Sequence, residues 1–340
     1  MDQWHGSTQR VGTLTALQIG MGHSVRKIIW ALDPYVNNEG NKSPIVPLLT
    51  ALTSPGDAVI LPVAVIAPEG NVTTLPPFEV GISGELRLLL RRRLEDYLSS
   101  TGLAALSMPV WLDEERHSIA SRVETLMVYA REVGASLIAV GTHGHKGLER
   151  ALLGSFAETL LLHADIPTVS VGPFSRRVDK VETIFFASDF SQKAYWALME
   201  VLPLVRCLKA RLLLFHYNDL FSGAYFPLDP GPKYLAAVEQ RELWEQEQGM
   251  RLVAQLKEDG IDAELLVARE NVPISAAILH FAAMLDSAII AMASQTGRFG
   301  SVFLGSVTRQ VMRSAPCPVW VIHPNFRRSS ARRPAVGATR

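Results

Sequence analysis

The chain of 340 residues has few cysteines, no excess of charge of either sign and no long apolar run. Only Cys207 and Cys317 are present, which excludes a scaffold held by several disulfides and a zinc site built from cysteines. Lysine plus arginine and aspartate plus glutamate each number 33, so a globally basic nucleic-acid binder is disfavoured. The longest apolar-rich run, Ala58–Pro68, is 11 residues long and too short to span a bilayer.

The amino terminus lacks the pattern of a secretory signal. Residues 1–5, MDQWH, have neither a basic start nor an apolar core. Together with the low cysteine content, this predicts a soluble protein of the reducing cytoplasm. Hydrophobic residues make up 48% of the chain, enough for sizeable cores, and the length favours two domains.

The sequence contains an internal repeat. The segments Leu152–Pro173 and Phe303–Pro324 align over 22 residues without a gap, with six identities and a separation of 151 residues. Upstream of each segment, an apolar run ends in an aspartate, Asp33 in the first half and Asp189 in the second. We therefore predict two homologous domains, 25–174 and 179–326, followed by a flexible basic tail, 327–340.

Periodicity and helix breakers predict alternating strands and helices in both halves. The predicted strands are 25–32, 58–66, 105–112, 136–141 and 168–171 in the first half, and 183–188, 211–217, 263–268, 287–293 and 319–323 in the second. The predicted helices are 85–99, 115–133, 155–163, 192–208, 234–258, 273–285 and 302–313, while Pro44 and Pro47 make a first helix hard to place. The predicted class is α/β, with two tandem open parallel sheets of Rossmann-like form.

In the first half, residues that could form a binding site for an anionic ligand follow two of the predicted strands. Asp33 ends the first strand, and a glycine-rich loop follows the fourth strand from Gly141 to Gly154-Ser155. Glycines admit an anion close to the backbone, and the next helix offers unpaired N–H groups. A polyphosphate ligand fits this arrangement, although such a loop is also compatible with a simple tight turn. Neither a P-loop motif nor a Gly-x-Gly-x-x-Gly after the first strand is present.

At these residues the sequence resembles the universal stress protein family in a tandem form. Members that bind ATP carry Gly, two residues, Gly, nine residues, Gly and then Ser or Thr. This chain has Gly141, Gly144, Gly154 and Ser155 at that spacing. The resemblance extends over about 25–326 and implies a fold like that of adenine-nucleotide alpha hydrolases, with a regulatory function in stress response.

The resemblance also implies contacts for ATP in the first half. Asp33 and Val63 would contact adenine, and Val140 and Gly141 would lie at the ribose. The phosphates would be held by Gly144, Gly154, Ser155 and Phe156. Pro34 and Tyr35 depart from the small residue and serine that many members carry after the aspartate. ATP is the expected cofactor, and Mg²⁺ stays open as its companion because triphosphates usually carry the ion, while no metal-ligating residue of the chain is predicted.

The second half departs further from the family pattern. Ala293 stands where Gly141 does, and the loop from there to Gly305 is one residue shorter. Its Cβ is expected to crowd a ribose, whereas Asp189, Tyr217, Gly305 and Ser306 are retained. We expect a weaker or absent nucleotide site in this half.

Three functions remain open at this point. The first is an ATP-binding regulatory protein, the second a slow ATPase, and the third an interaction protein with vestigial sites. No nucleophile paired with an oriented base is apparent, so no catalytic residue is predicted. Edge strands 168–171 and 319–323 are expected to pair the two halves internally as a pseudo-dimer, with further association into a homodimer left open. Membrane partners are not expected, and nucleic-acid partners are disfavoured.

Overall fold

The computed structural model describes residues 25–34, 43–67, 84–116, 118–142, 155–218, 231–269, 272–294 and 305–323. Within them, ten strands alternate with eight helices, as the periodicity predicts. The first half contains β1 (Arg26–Leu32), α1 (Ile45–Thr53), β2 (Ala58–Ile66), α2 (Gly84–Ser100), β3 (Val110–Asp113), α3 (Ile119–Glu132), β4 (Leu137–Gly141), α4 (Ser155–His163) and β5 (Thr168–Val171). The second half contains β6 (Thr183–Ser188), α5 (Gln192–Leu208), β7 (Arg211–Tyr217), α6 (Pro232–Glu258), β8 (Ala263–Ala268), α7 (Ile274–Ala283), β9 (Ala288–Ala293), α8 (Ser306–Ser314) and β10 (Val319–Ile322).

All ten strands form one sheet in the order β3-β2-β1-β4-β5-β10-β9-β6-β7-β8. Every neighbouring pair within a half is parallel, which confirms the predicted fold class. The two halves meet where β5 and β10 pair antiparallel, with Val169 opposite Trp320. The expected internal pairing through these strands is therefore present, and both strands are fully buried.

Helices cover both faces of the sheet and create two apolar layers. Buried residues of α1, α2, α5 and α6 form one core with the sheet, and buried residues of α3, α4, α7 and α8 form the other. Each core contains residues from both halves. The central strands are buried on both sides, which explains their continuous apolar sequences.

Two elements differ from the sequence-based expectation because of proline. Strand β3 begins at Val110 rather than Ala105, since Pro109 interrupts the ladder and leaves a single bridge between Leu106 and Ile60 before it. Helix α1 forms despite Pro44 and Pro47. Pro44 is the N-cap and Pro47 lies in the first turn, where backbone N–H groups have no partner within the helix.

A polar cluster joins the two halves beside β1. The Arg26 guanidinium donates to both carboxylate oxygens of Asp57 at 2.8 and 2.6 Å and to the Leu52 carbonyl at 3.1 Å. The Cys207 thiol, at the end of α5 in the other half, donates to Asp57 at 3.2 Å. Hydrogen bonds from Arg26 lower the pKa of Asp57 from 3.8 to about 2. Ionised Asp57 therefore stabilises this contact.

We predict that Asp57→Asn lowers the free energy of unfolding at pH 7 by about 1 kcal/mol, because the ion pair is only partly buried. The folded-state pKa is depressed, so the contribution of Asp57 is present above pH 4 and is lost as the pH falls towards 2. Urea unfolding at pH 7 and pH 3 measures both effects. Asp179→Asn, in an exposed ion pair with Arg177, is the control and is expected to change little. Equal losses in the two variants would contradict this prediction.

Candidate functional site

The site predicted in the first half lies at the switch point of its sheet. Strand β1 lies between β2 and β4, and Ala31 is in register with Val63 on one side and Val140 on the other. Asp33 follows two residues later, beyond the end of β1, and Gly141 ends β4. The carboxyl ends of these strands flank the crevice where open α/β sheets bind ligands. The topology thus brings Asp33, Val63, Val140 and Gly141 together.

The described residues leave little space at the end of β1. Asp33, Val63, Phe156 and Arg122 of α3 line a cavity of about 10 Å³, which holds about one water molecule. Ser155 is the exposed first residue of α4. The predicted contacts Gly144 and Gly154 lie outside the described residues.

The equivalent position in the second half is an open cleft of about 570 Å³. That volume is typical of small-molecule sites. All four residues predicted for the second half line it, namely Asp189, Tyr217, Gly305 and Ser306. Its walls are largely apolar and include Ile274 and Ile278 of α7. The described residues therefore provide more room here than in the first half, where the glycine spacing is complete.

Strand register assigns the counterpart of Val63 in the second half. Ala187 of β6 is in register with Phe215 and Met292, as Ala31 is with Val63 and Val140. Phe215 is thus the counterpart of Val63, and Tyr217 lies two residues farther along β7. Both aromatic side chains line the cleft. Sequence alone carries no signal for this register, because the apolar residues of β6 and β7 show no alternation.

Polar groups in the second cleft are partly engaged by the protein itself. The Asp189 carboxylate accepts a hydrogen bond from the Ser191 amide at 3.0 Å, and the Tyr217 hydroxyl donates to the Val272 carbonyl. Helix α8, by contrast, has Gly305 as its N-cap and no side chain that caps its first turn. Amide groups at such a helix start favour an anion, so the cleft combines apolar walls with one anion-favouring end.

A buried histidine lies behind this cleft and was not singled out from the sequence. His323 follows β10, and its Nδ1 lies 3.1 Å from Oγ of Ser294, a residue that lines the cleft. Its Nε2 is buried and has no hydrogen-bond partner among the described residues. Burial lowers the pKa of His323 to about 4, against a weaker opposing effect of Asp165, so the ring is neutral at pH 7.

Comparison with known proteins places this fold in a family. The model of the universal stress protein family matches residues 54–172 and 180–323. The chain belongs to the universal stress protein family. The two matches give this universal stress protein a tandem two-domain form.

Solved structures show the same architecture at low sequence identity. A universal stress protein from Archaeoglobus fulgidus is 18% identical, with a TM-score of 0.59, over 88% of this chain and 97% of that one. A functionally unknown Pseudomonas aeruginosa protein is 14% identical, with a TM-score of 0.57, over 91% and 98%. At these identities the likeness establishes the fold alone. The search of curated proteins found no match.

In the described part of this universal stress protein, none of the helices has the length and apolar character needed to cross a membrane. No group of three or more His, Cys, Asp or Glu side chains there could hold a metal ion.

We predict that His323 makes stability sensitive to mild acid. Its pKa in the folded state, about 4, lies below the value of about 6.5 expected on unfolding. The contribution of His323 to the free energy of unfolding is therefore complete above pH 6.5. It is lost as the pH falls towards 4, and the total loss is about 3 kcal/mol. Urea unfolding of His323→Asn is expected to show a flatter pH dependence than the native chain over this range. The control is His163→Asn, at an exposed position, and an identical slope in all three proteins would refute the assignment.

Proposed function

We propose that this universal stress protein is a regulatory protein that binds ATP, mainly in its first domain. The observation that carries the proposal is the spacing of Gly141, Gly144, Gly154 and Ser155 between the end of β4 and the first turn of α4. That spacing matches the ATP-binding members of the family. It supports a loop whose amides, with the start of α4, face a nucleotide's phosphates.

Each predicted residue has a chemical part in this proposal. The Asp33 carboxylate accepts a hydrogen bond from the adenine amino group or a ribose hydroxyl. Val63 and Val140, both buried, supply apolar surface beside it. Ser155 donates its hydroxyl to a phosphate oxygen. Asp33, Val63 and Phe156 also line one small cavity at the end of β1, which supports their proposed proximity to a shared ligand.

The second domain is proposed to bind nucleotide more weakly. Its cleft of about 570 Å³ has room for a ligand of that size. Ala293 lines that cleft with a Cβ where the first domain has Gly141, and the following loop is shorter by one residue. We therefore expect the second domain to bind nucleotide more weakly because the Ala293 Cβ and the shorter loop restrict the approach of a ligand to the backbone. The larger volume of its cleft does not enter this order.

Ligand binding is favoured over catalysis by the groups present. The described residues that line the first cavity include one carboxylate, Asp33, and no histidine, cysteine or lysine. Efficient hydrolysis needs a base oriented towards an attacking water. We therefore propose that ATP acts by shifting a conformational or oligomeric equilibrium.

Calorimetric titration with ATP, with and without Mg²⁺, tests the proposal through equivalent variants in the two domains. Ser155→Ala and Asp33→Ala are expected to weaken the tighter site about ten-fold, since each removes a hydrogen bond to a charged or polar ligand group. Ser306→Ala and Asp189→Ala, at the matching positions, are expected to leave that site unchanged.

The outcomes separate the three functions. One tight site sensitive to Ser155 supports the proposal, whereas two equally tight sites, or one sensitive only to Ser306, would overturn the order of the domains. Absence of any nucleotide binding would point to an interaction protein with vestigial sites. If the native chain produces ADP from ATP, and Asp33→Ala produces it more slowly, the protein is a slow ATPase.

A further inference from the structure

Helix α6 extends well past the sheet on which it rests. The His216 ring at the end of β7 lies 3.1 Å from Glu245, and the Asn218 amide donates to Glu242 at 2.7 Å. These two contacts hold the middle of α6, around Glu242 and Glu245, against the end of β7, where the strand stops. Residues 232–241 lie N-terminal to them and are exposed, except for a half-buried Val238. At 1.5 Å per residue, this arm is about 15 Å long.

The side of α6 that faces away from the protein is defined by its buried side. Gly249, Val253 and Leu256 are buried against the domain, and a Cβ at Gly249 would lie 2.8 Å from both Leu265 and Phe190. Gln240, nine residues before Gly249, lies on the opposite side, because nine residues make two and a half turns. The outward face around Gln240 consists of exposed residues: Lys233, Ala236, Ala237, Leu243, Trp244 and Glu247.

This outward face carries large apolar side chains that no element of the described residues covers. Leu243 is 62% exposed and Trp244 is 56% exposed. Two adjacent apolar residues of this size in the middle of a helix's solvent side are unusual unless a partner covers them. Alanines lie at one end of the face and bulky residues at the other.

The arrangement is self-complementary when a second copy of the helix lies antiparallel across it. With Gln240 on a two-fold axis, the helix positions place Trp244 beside Ala237 of the other copy and Leu243 beside Ala236, so bulky side chains meet small ones. The same register sets Lys233 opposite Glu247, twice per pair of chains, and Glu247 also pairs with Arg251 of its own helix at 2.6 Å. A two-fold interface requires this kind of match, in which residue i meets j and j meets i.

We propose that the outward face of α6 is a homodimer interface, occupied by α6 of a second copy in antiparallel register about Gln240. The pairing would cover Leu243 and Trp244 and bury the projecting arm of each chain against the other. A single helix pair buries less than the roughly 1,200–2,000 Å² of a standard interface. The dimer is therefore expected to dissociate on dilution rather than to be permanent.

A cysteine placed on the two-fold axis tests the register. In Gln240→Cys the two thiols face each other, and mild oxidation is expected to give a covalent dimer of twice the 37.3 kDa chain mass. Ala254→Cys is the matched control, because Ala254 is exposed on the same face but 14 residues from the axis. Its two copies would lie about 40 Å apart along the helices and would not cross-link. Equal cross-linking of the two variants, or none in Gln240→Cys, would overturn the proposed register.

Charge exchange tests the interface without new cysteines. Sedimentation equilibrium of Lys233→Glu is expected to show a dissociation constant raised about ten-fold, since two attractive pairs per dimer become repulsive. Glu247→Lys is expected to act alike, and the double variant is expected to restore the native value. Leu243→Glu should abolish the dimer, and circular dichroism checks that this chain is folded. A native chain that stays monomeric at 100 µM, or a double variant weaker than both single ones, would refute the dimer.

Discussion

The antiparallel pairing of β5 with β10 is the constraint on which the rest of the molecule depends. Each half alone would end in an exposed strand whose free N–H and C=O groups invite another chain. Pairing them internally satisfies those groups and lets apolar side chains of both halves share the two cores on either face. The Arg26, Asp57 and Cys207 contact adds a polar link between the same halves.

Much of the fold could be predicted from the sequence because its physical causes are local. Continuous apolar runs such as 137–141 and 288–293 are typical of strands buried on both faces, and the repeat that begins around Leu-Gly-Ser indicates the same order of elements in each half. The boundaries that were wrong, at Ala105 and Glu115, lie beside Pro109 and before the Ser118 cap of α3. There, single backbone hydrogen bonds decide where an element begins.

The candidate sites were less predictable because they depend on contacts between distant segments. The sequence placed Asp33 and Gly141 at strand ends correctly, but it could not indicate that Arg122 of α3 lines the same cavity as Asp33. Nor could it assign Phe215 as the partner of Ala187, since register is set by tertiary packing. His323 was not singled out for the same reason, since its burial and its contact with Ser294 follow from how the chain packs after β10.

The reversal of strand direction at β5 and β10 has a consequence for the two clefts. Because the halves run in opposite senses, Asp33 and Asp189 follow strands that finish at opposite borders of the ten-stranded sheet. One small molecule cannot touch both, and any communication between occupants would have to cross the shared cores. The two candidate sites thus lie at opposite ends of the strands, and one continuous backbone ladder connects the domains that hold them.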